Sequence, residues 1–148
     1  MLPQFDVESG NLPEGVHEAT WKDVEARLGF SSQRRALLGG LLKAARAFRD
    51  AGAPTLYLDG SFVTAKRDPS DYDCCYYAGH VDPDRIDPVL LDIDNAPAMK
   101  KAYKGEFYSA LSEIKRPDFV GTFISFFRRD KDTHAQRGIV ALDLASLP

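Results

Sequence analysis

A strand-like run, Thr55-Leu56-Tyr57-Leu58, passes through Asp59 into a Gly60-Ser61 turn, and after nine intervening residues the chain returns as Asp71-Tyr72-Asp73, the head of a second strand-like run that reaches residue 78. The rest of the sequence has to be arranged around this strand–turn–strand unit. On a strand, residues i and i+2 share a face, so Asp71 and Asp73 project together and Tyr72 points the other way. Two carboxylates side by side repel. A hard divalent cation is the usual physical reason to hold them so, because Mg²⁺ takes oxygen ligands and commonly binds one or two carboxylates together with substrate phosphates. Gly60 lacks a Cβ and lets the backbone come close to a phosphate. Ser61 adds a hydroxyl and an amide donor at a helix start, where anions are favoured. Turn chemistry after Pro69 accounts for Asp71. It does not account for Asp73, one pleat into an apolar strand, where an unpaired carboxylate is costly; a metal or a basic side chain would pair it.

Gly60-Ser61, nine residues, then Asp71-Tyr72-Asp73 resembles the signature of the polymerase-β-like nucleotidyltransferase superfamily, sharpest over residues 55–77. The runs 12–21, 58–66 and 138–144 look like a small bacterial branch of these domains. The resemblance implies an α/β (α+β) fold with a small mixed β-sheet flanked by helices. It also implies an enzyme: a Mg²⁺- or Mn²⁺-dependent nucleotidyltransferase that moves a nucleoside monophosphate from a nucleoside triphosphate such as ATP to an RNA end or a protein hydroxyl, in some cases within a toxin–antitoxin or defence pair. Under it, Asp71 and Asp73 are the catalytic metal ligands, Gly60 and Ser61 cradle the triphosphate, and Lys66 is a phosphate contact. A third catalytic carboxylate belongs on the next strand. Glu106, at the head of the third predicted strand, is preferred on topology; Asp92 and Asp94, in a proline-broken stretch, read as helix-end charges. Asp59 replaces the usual apolar residue before Gly-Ser and is a further ligand or a turn former. Two alternatives stay open: a catalytically inactive binding protein or antitoxin of the same fold, and an unrelated α/β interaction domain whose acids are structural.

The 148 residues suit one domain with a substantial core, here preceded by an irregular lead-in, 1–19, rich in proline and glycine. A net charge of −3 disfavours a passive, charge-driven nucleic-acid binder. No apolar run approaches the roughly 18 residues that cross a bilayer, and the first residues lack the basic and apolar regions of a secretory signal. The two cysteines, Cys74 and Cys75, are adjacent, so their side chains point to opposite faces of a strand and do not bridge. Apolar packing in a reducing cytoplasm is the expectation. His17, His80 and His134 are scattered and form no catalytic sequence motif.

Around this unit the spacing predicts a helix over 21–28 capped by Thr20, with Trp21 as a core anchor. A long helix over 32–50 follows, capped by Ser31 or Ser32, with Leu37, Leu38, Leu41, Leu42, Ala45 and Phe48 as its apolar stripe. Arg34, Arg35, Lys43, Arg46 and Arg49 fall mostly elsewhere around that cylinder and read as a solvated face or a patch for a polyanionic acceptor. Gly39-Gly40 inside it marks either a close neighbour or a bend. Residues 62–66 read as a helical turn, 86–92 and 96–103 as short helices, 106–111 as a strand, 119–128 as a helix or a strand with the aromatic spacing favouring a helix, and 138–144 as the last strand.

Overall fold

The computed structural model describes residues 1–117, 119–128 and 137–148; His134 lies outside them. Among the described residues seven strands and four α-helices follow one another in the order β1 (Gly15–Ala19), α1 (Trp21–Leu28), α2 (Ser32–Asp50), β2 (Thr55–Asp59), β3 (Tyr72–Tyr76), α3 (Ala96–Tyr103), β4 (Gly105–Ser109), β5 (Glu113–Arg116), β6 (Phe119–Thr122), α4 (Phe123–Phe127) and β7 (Gly138–Asp143). Five strands form one mixed sheet in the order β1-β7-β2-β3-β4, parallel at β1–β7 and β3–β4 and antiparallel between; β5 and β6 form a separate hairpin. The expected mixed α+β architecture is present.

One face of the sheet carries the main core. Leu56, Leu58, Tyr72, Cys74, Tyr76, Phe107, Val140 and Leu142 pack there against Trp21, Val24 and Leu28 of α1, the Leu37–Phe48 stripe of α2, and Met99 and Tyr103 of α3. The helix ends follow from the sequence. Thr20 and Asp23 form a reciprocal capping box on α1, and Ser31 accepts from the Arg34 amide on α2. Gly40 marks a close approach: a Cβ there would lie 2.1 Å from the Tyr103 carbonyl oxygen, whereas Gly39 has open space. That same carbonyl accepts the buried Tyr72 hydroxyl at 2.6 Å, so α2, α3 and β3 meet at one point. Both cysteines are free and buried.

The cations of α2 do not form one solvated face. Arg34 is completely buried. Its guanidinium lies 4.1 Å from the Phe30 ring centroid and 5.3 Å from that of Phe62. It makes six hydrogen bonds, to the carbonyls of Leu28, Ser61, Phe62, Thr64 and Lys66. Ser31 and Gln33 extend the pattern to the carbonyls of Arg67 and Pro69. The first turn of α2 therefore supplies donors to most of the loop that follows Gly60-Ser61. Burial drags the Arg34 guanidinium down to about 10, against a weak opposing pull from Asp68, and it remains charged at neutrality. Of the others, Arg46 reaches the Pro148 carbonyl, Arg49 pairs with Asp50, and Lys43 sits over the Tyr103 ring.

Other expectations are corrected locally. Residues 15–19 are not irregular but form β1, which pairs only through long-range parallel bonds to β7. After Ser61 there is one 3₁₀ turn, residues 61–63, because the carbonyls that a longer helix would use are taken by Arg34. Residues 86–92 contain a 3₁₀ turn at Pro88–Leu91 rather than an α-helix. Residues 119–128 are divided: Phe119–Thr122 pairs with β5, and Thr122 then caps α4. β3 begins one residue and ends two residues inside its expected span, whereas β4 begins one residue before its expected start and ends two residues short of its expected end. Among the described residues no helix is long and apolar enough to cross a membrane.

Replacing Arg34 by methionine should leave several loop carbonyls without donors. A loss of more than about 3 kcal/mol of unfolding free energy is expected, measured by urea denaturation, with Arg34→Lys recovering only part of it because a lysine cannot reach the same fan of acceptors.

Candidate functional site

At the end of the sheet where β2 stops and β3 and β4 begin, Asp59 pairs in register with Asp73, and Asp73 with Glu106. Register partners on neighbouring strands share a face. Three adjacent strands thus present three carboxylates in a row, on the face opposite the main core. Asp71, immediately before β3, adds a fourth: its charge, with those of Asp59 and Glu106, acts on Asp73. The structure brings together Asp71, Asp73 and Glu106, and places Asp59 beside them. Asp92 and Asp94 are exposed, and Asp92 caps a 3₁₀ turn by accepting from the Asp94 amide.

The Gly60-Ser61 turn is part of the same site. Gly60 has φ +82°, in a region glycine enters readily and L-residues do not. A Cβ there would stand 2.5 Å from Asp73 Oδ2. The glycine is required twice, for the backbone conformation and for the approach of the carboxylate. Ser61 gives its carbonyl to Arg34 and to the Thr64 hydroxyl, and its own hydroxyl makes no hydrogen bond among the described residues. Lys66 is not brought to the carboxylates. Its side chain is exposed and forms no ion pair with them; its carbonyl and amide serve Arg34 and Thr64.

Two cations answer the row. Lys100, on α3, places Nζ 3.0 Å from Asp71 Oδ2 and 3.0 Å from Glu106 Oε1. Arg137, entering β7, places Nη2 2.8 Å from Asp59 Oδ1. The Tyr108 hydroxyl donates to Glu106 Oε2, and its ring stacks on Phe123 with centroids 4.6 Å apart. Asp59 is 2% exposed, and its Oδ2 has no hydrogen-bond partner among the described residues. Asp73 has no ion pair or hydrogen bond of its own among them.

The electrostatics follow from this unequal sharing. Burial, then the charges of Asp71, Asp59 and Glu106, push Asp73 up to about 8, with Lys100 only partly opposing. Burial pushes Asp59 up to about 6 against the pull of Arg137. Lys100 is held above its ordinary value by its bonds to Asp71 and then Glu106. Among the described residues no three acidic, histidine or cysteine side chains converge as a ready metal cage. The donor set is nonetheless all oxygen, carries excess negative charge and includes an orphaned buried carboxylate oxygen, which suits a hard divalent cation.

Sequence reasoning did not find Lys100, Arg137, Tyr108 or the role of Arg34. The need of Asp73 for a basic or metal partner was the one signal available. It pointed to the right chemistry but not to Lys100, which serves the flanking acids instead.

Two expectations follow. A carboxyl whose folded value lies above its unfolded value keeps its proton in the folded state after the unfolded chain has lost it. Stability therefore falls as pH rises from about 4 to about 8. In metal-free protein, Asp73→Asn should remove most of that slope, about 2 kcal/mol after discounting for the partial exposure of Asp73, read as melting temperature against pH. Gly60→Ala should cost about 1–3 kcal/mol for the backbone conformation alone, measured by chemical denaturation.

Comparison with curated proteins gave no match, and comparison with solved structures gave none. The model of a protein family of unknown function, DUF6932, matches residues 3–143, and on that match the chain belongs to this family.

Proposed function

We propose that the protein is a divalent-metal-dependent nucleotidyltransferase, transferring a nucleoside monophosphate from a nucleoside triphosphate to a hydroxyl of an RNA end or a protein, with the nucleotidyltransferase-like fold that its signature implies. The observation that carries this reading is the in-register row Asp59–Asp73–Glu106, with Asp71 alongside and Gly60 of the Gly-Ser turn packed against Asp73. A cluster of like charges costs folding energy. A site that receives a cation and a polyphosphate gives that cost a purpose.

In this reading Asp71 and Asp73, with Glu106, hold Mg²⁺ or Mn²⁺. Bound there, the metal would supply Lewis-acid chemistry toward the phosphoryl oxygens. The chain's own residues do the rest. The Gly60 backbone and the Ser61 hydroxyl receive the triphosphate, and Arg34 fixes the loop that presents them. The acceptor hydroxyl oxygen forms a bond to the α-phosphorus as the bond to pyrophosphate breaks, and its proton passes to a carboxylate of the row. Tyr108 orients Glu106 through its hydroxyl. A cognate toxin or antitoxin partner is supported by the sequence resemblance alone.

A second reading, a nucleotide-binding protein without turnover, is favoured by one specific feature: the Lys100 ammonium bridges Asp71 and Glu106. Incubation with each α-³²P-labelled triphosphate, Mg²⁺ or Mn²⁺, and total cell RNA and protein separates the two. Wild type should transfer label to one acceptor class. The Asp71→Asn/Asp73→Asn variant, still folded, should transfer at least about 100-fold less. Equal labelling by the variant overturns the catalytic reading; metal-dependent nucleotide binding without transfer selects the second.

A further inference from the structure

Lys100 stands where a cation shared by two carboxylates would stand. Its one nitrogen is 3.0 Å from an oxygen of Asp71, just before β3, and 3.0 Å from an oxygen of Glu106, in β4, so those oxygens are no further apart than twice that distance. The ammonium comes from a helix that is itself fixed. Asn95 caps α3 by accepting from the Ala98 amide, Met99 and Tyr103 are buried in the core, and the Tyr103 carbonyl is held by Tyr72. The lysine's side chain, by contrast, is 46% exposed. Its flexible four-carbon stem can carry the charge into solvent without moving the helix.

We propose that Lys100 is a built-in counterion that holds Asp71 and Glu106 together in the metal-free protein and is displaced when a divalent cation binds, so that the Lys100 bridge and the bound metal exclude each other. This rests on the reading that the carboxylate row takes a divalent cation.

The charge inventory supports it. Among the described residues four carboxylates, Asp59, Asp71, Asp73 and Glu106, are answered by two cations, Lys100 and Arg137. The lysine reaches only Asp71 and Glu106. Asp73 is unserved, and Asp59, 2% exposed and in register with Asp73, keeps Oδ2 without a partner. A single positive charge on a tether leaves the row short. A divalent ion in its place supplies one more charge, takes more than two oxygen ligands, and leaves Lys100 free to meet the anionic ligand that accompanies the metal. Arg137 is not interchangeable with Lys100 here. Its side chain is 16% exposed, its planar guanidinium is more weakly hydrated than an ammonium and suits a buried ion pair, and it stays as the fixed counterion of Asp59. The device therefore sets a threshold: the row loads only when the divalent ion outcompetes an internal ammonium that is always present.

The test is Mn²⁺ binding, by titration with electron paramagnetic resonance of the free ion, to wild type, Lys100→Met and Asp71→Asn/Asp73→Asn. Lys100→Met should bind Mn²⁺ at least about 5-fold more tightly than wild type, and the double variant should lose the binding. In wild type with ¹⁵N-labelled lysine, the Lys100 ammonium resonance should move to its solvent-exposed position as Mg²⁺ is added, a readout independent of whether the variant folds. Equal or weaker Mn²⁺ binding by Lys100→Met, or a Lys100 resonance unmoved by saturating Mg²⁺, overturns the proposal while leaving the metal site standing. Absence of Mn²⁺ binding in all three proteins overturns the metal site itself.

Discussion

A buried guanidinium is the constraint on which the site depends. The segment between Ser61 and Asp71 is too irregular to satisfy its own carbonyls, and buried carbonyls without donors are expensive. Arg34 answers those of Ser61, Phe62, Thr64 and Lys66 at once, and Ser31 and Gln33 answer those of Arg67 and Pro69. With that loop fixed, β2 and β3 can pair in the register that sets Asp59 against Asp73. The first turn of a helix thus determines where carboxylates on two strands meet. The ring faces of Phe30 and Phe62 complete the arrangement by covering the guanidinium with apolar surface that still favours a cation.

The sheet divides labour between its faces. Alternation along β3 sends Tyr72, Cys74 and Tyr76 to the helices and Asp73 and Cys75 to the other side. The helix-facing side supplies the stability that lets the other side carry an unfavourable concentration of negative charge. Even there the charges are not left to water. The carboxylates around Asp73 draw on two elements, with one lysine of α3 shared by Asp71 and Glu106 and an arginine at the start of β7 for Asp59. The central one, Asp73, lies against the bare Cα of Gly60.

Local features were legible in the sequence where their causes are local. Thr20 with Asp23, Ser31, and the leucine stripe of α2 each carry their own physical reason, and both helices stand where those residues put them. The pair Asp71 and Asp73, the turn before them and Glu106 on the next strand were legible because alternation and topology converge on them. Features with distant causes were not. β1 has no apolar alternation and exists because β7 offers it hydrogen bonds. Residues 119–122 carry aromatic spacing that suits a helix, yet pair with β5, and only Phe123 onward is helical. Arg34 lies among other cations on a helix and looks solvated; nothing in the sequence around it announces a loop of unsatisfied carbonyls far along the chain. Lys100 and Arg137 owe their positions to the packing of α3 and the path into β7, which no spacing reveals.

The strand order β1-β7-β2-β3-β4 puts the latest strand in the interior of the sheet rather than at its edge. β1 pairs with β7 and with no other strand among those described, and one edge of β2 is also completed by β7. During synthesis the first strand must therefore wait while residues 20–137 are made, and β2 carries a bare hydrogen-bonding edge for the same interval. Such edges are where nascent chains misassociate. The segment that closes the sheet also carries Arg137, so Asp59 is buried and receives its counterion in the same event: completion of the fold and neutralisation of this buried acid are a single step of maturation.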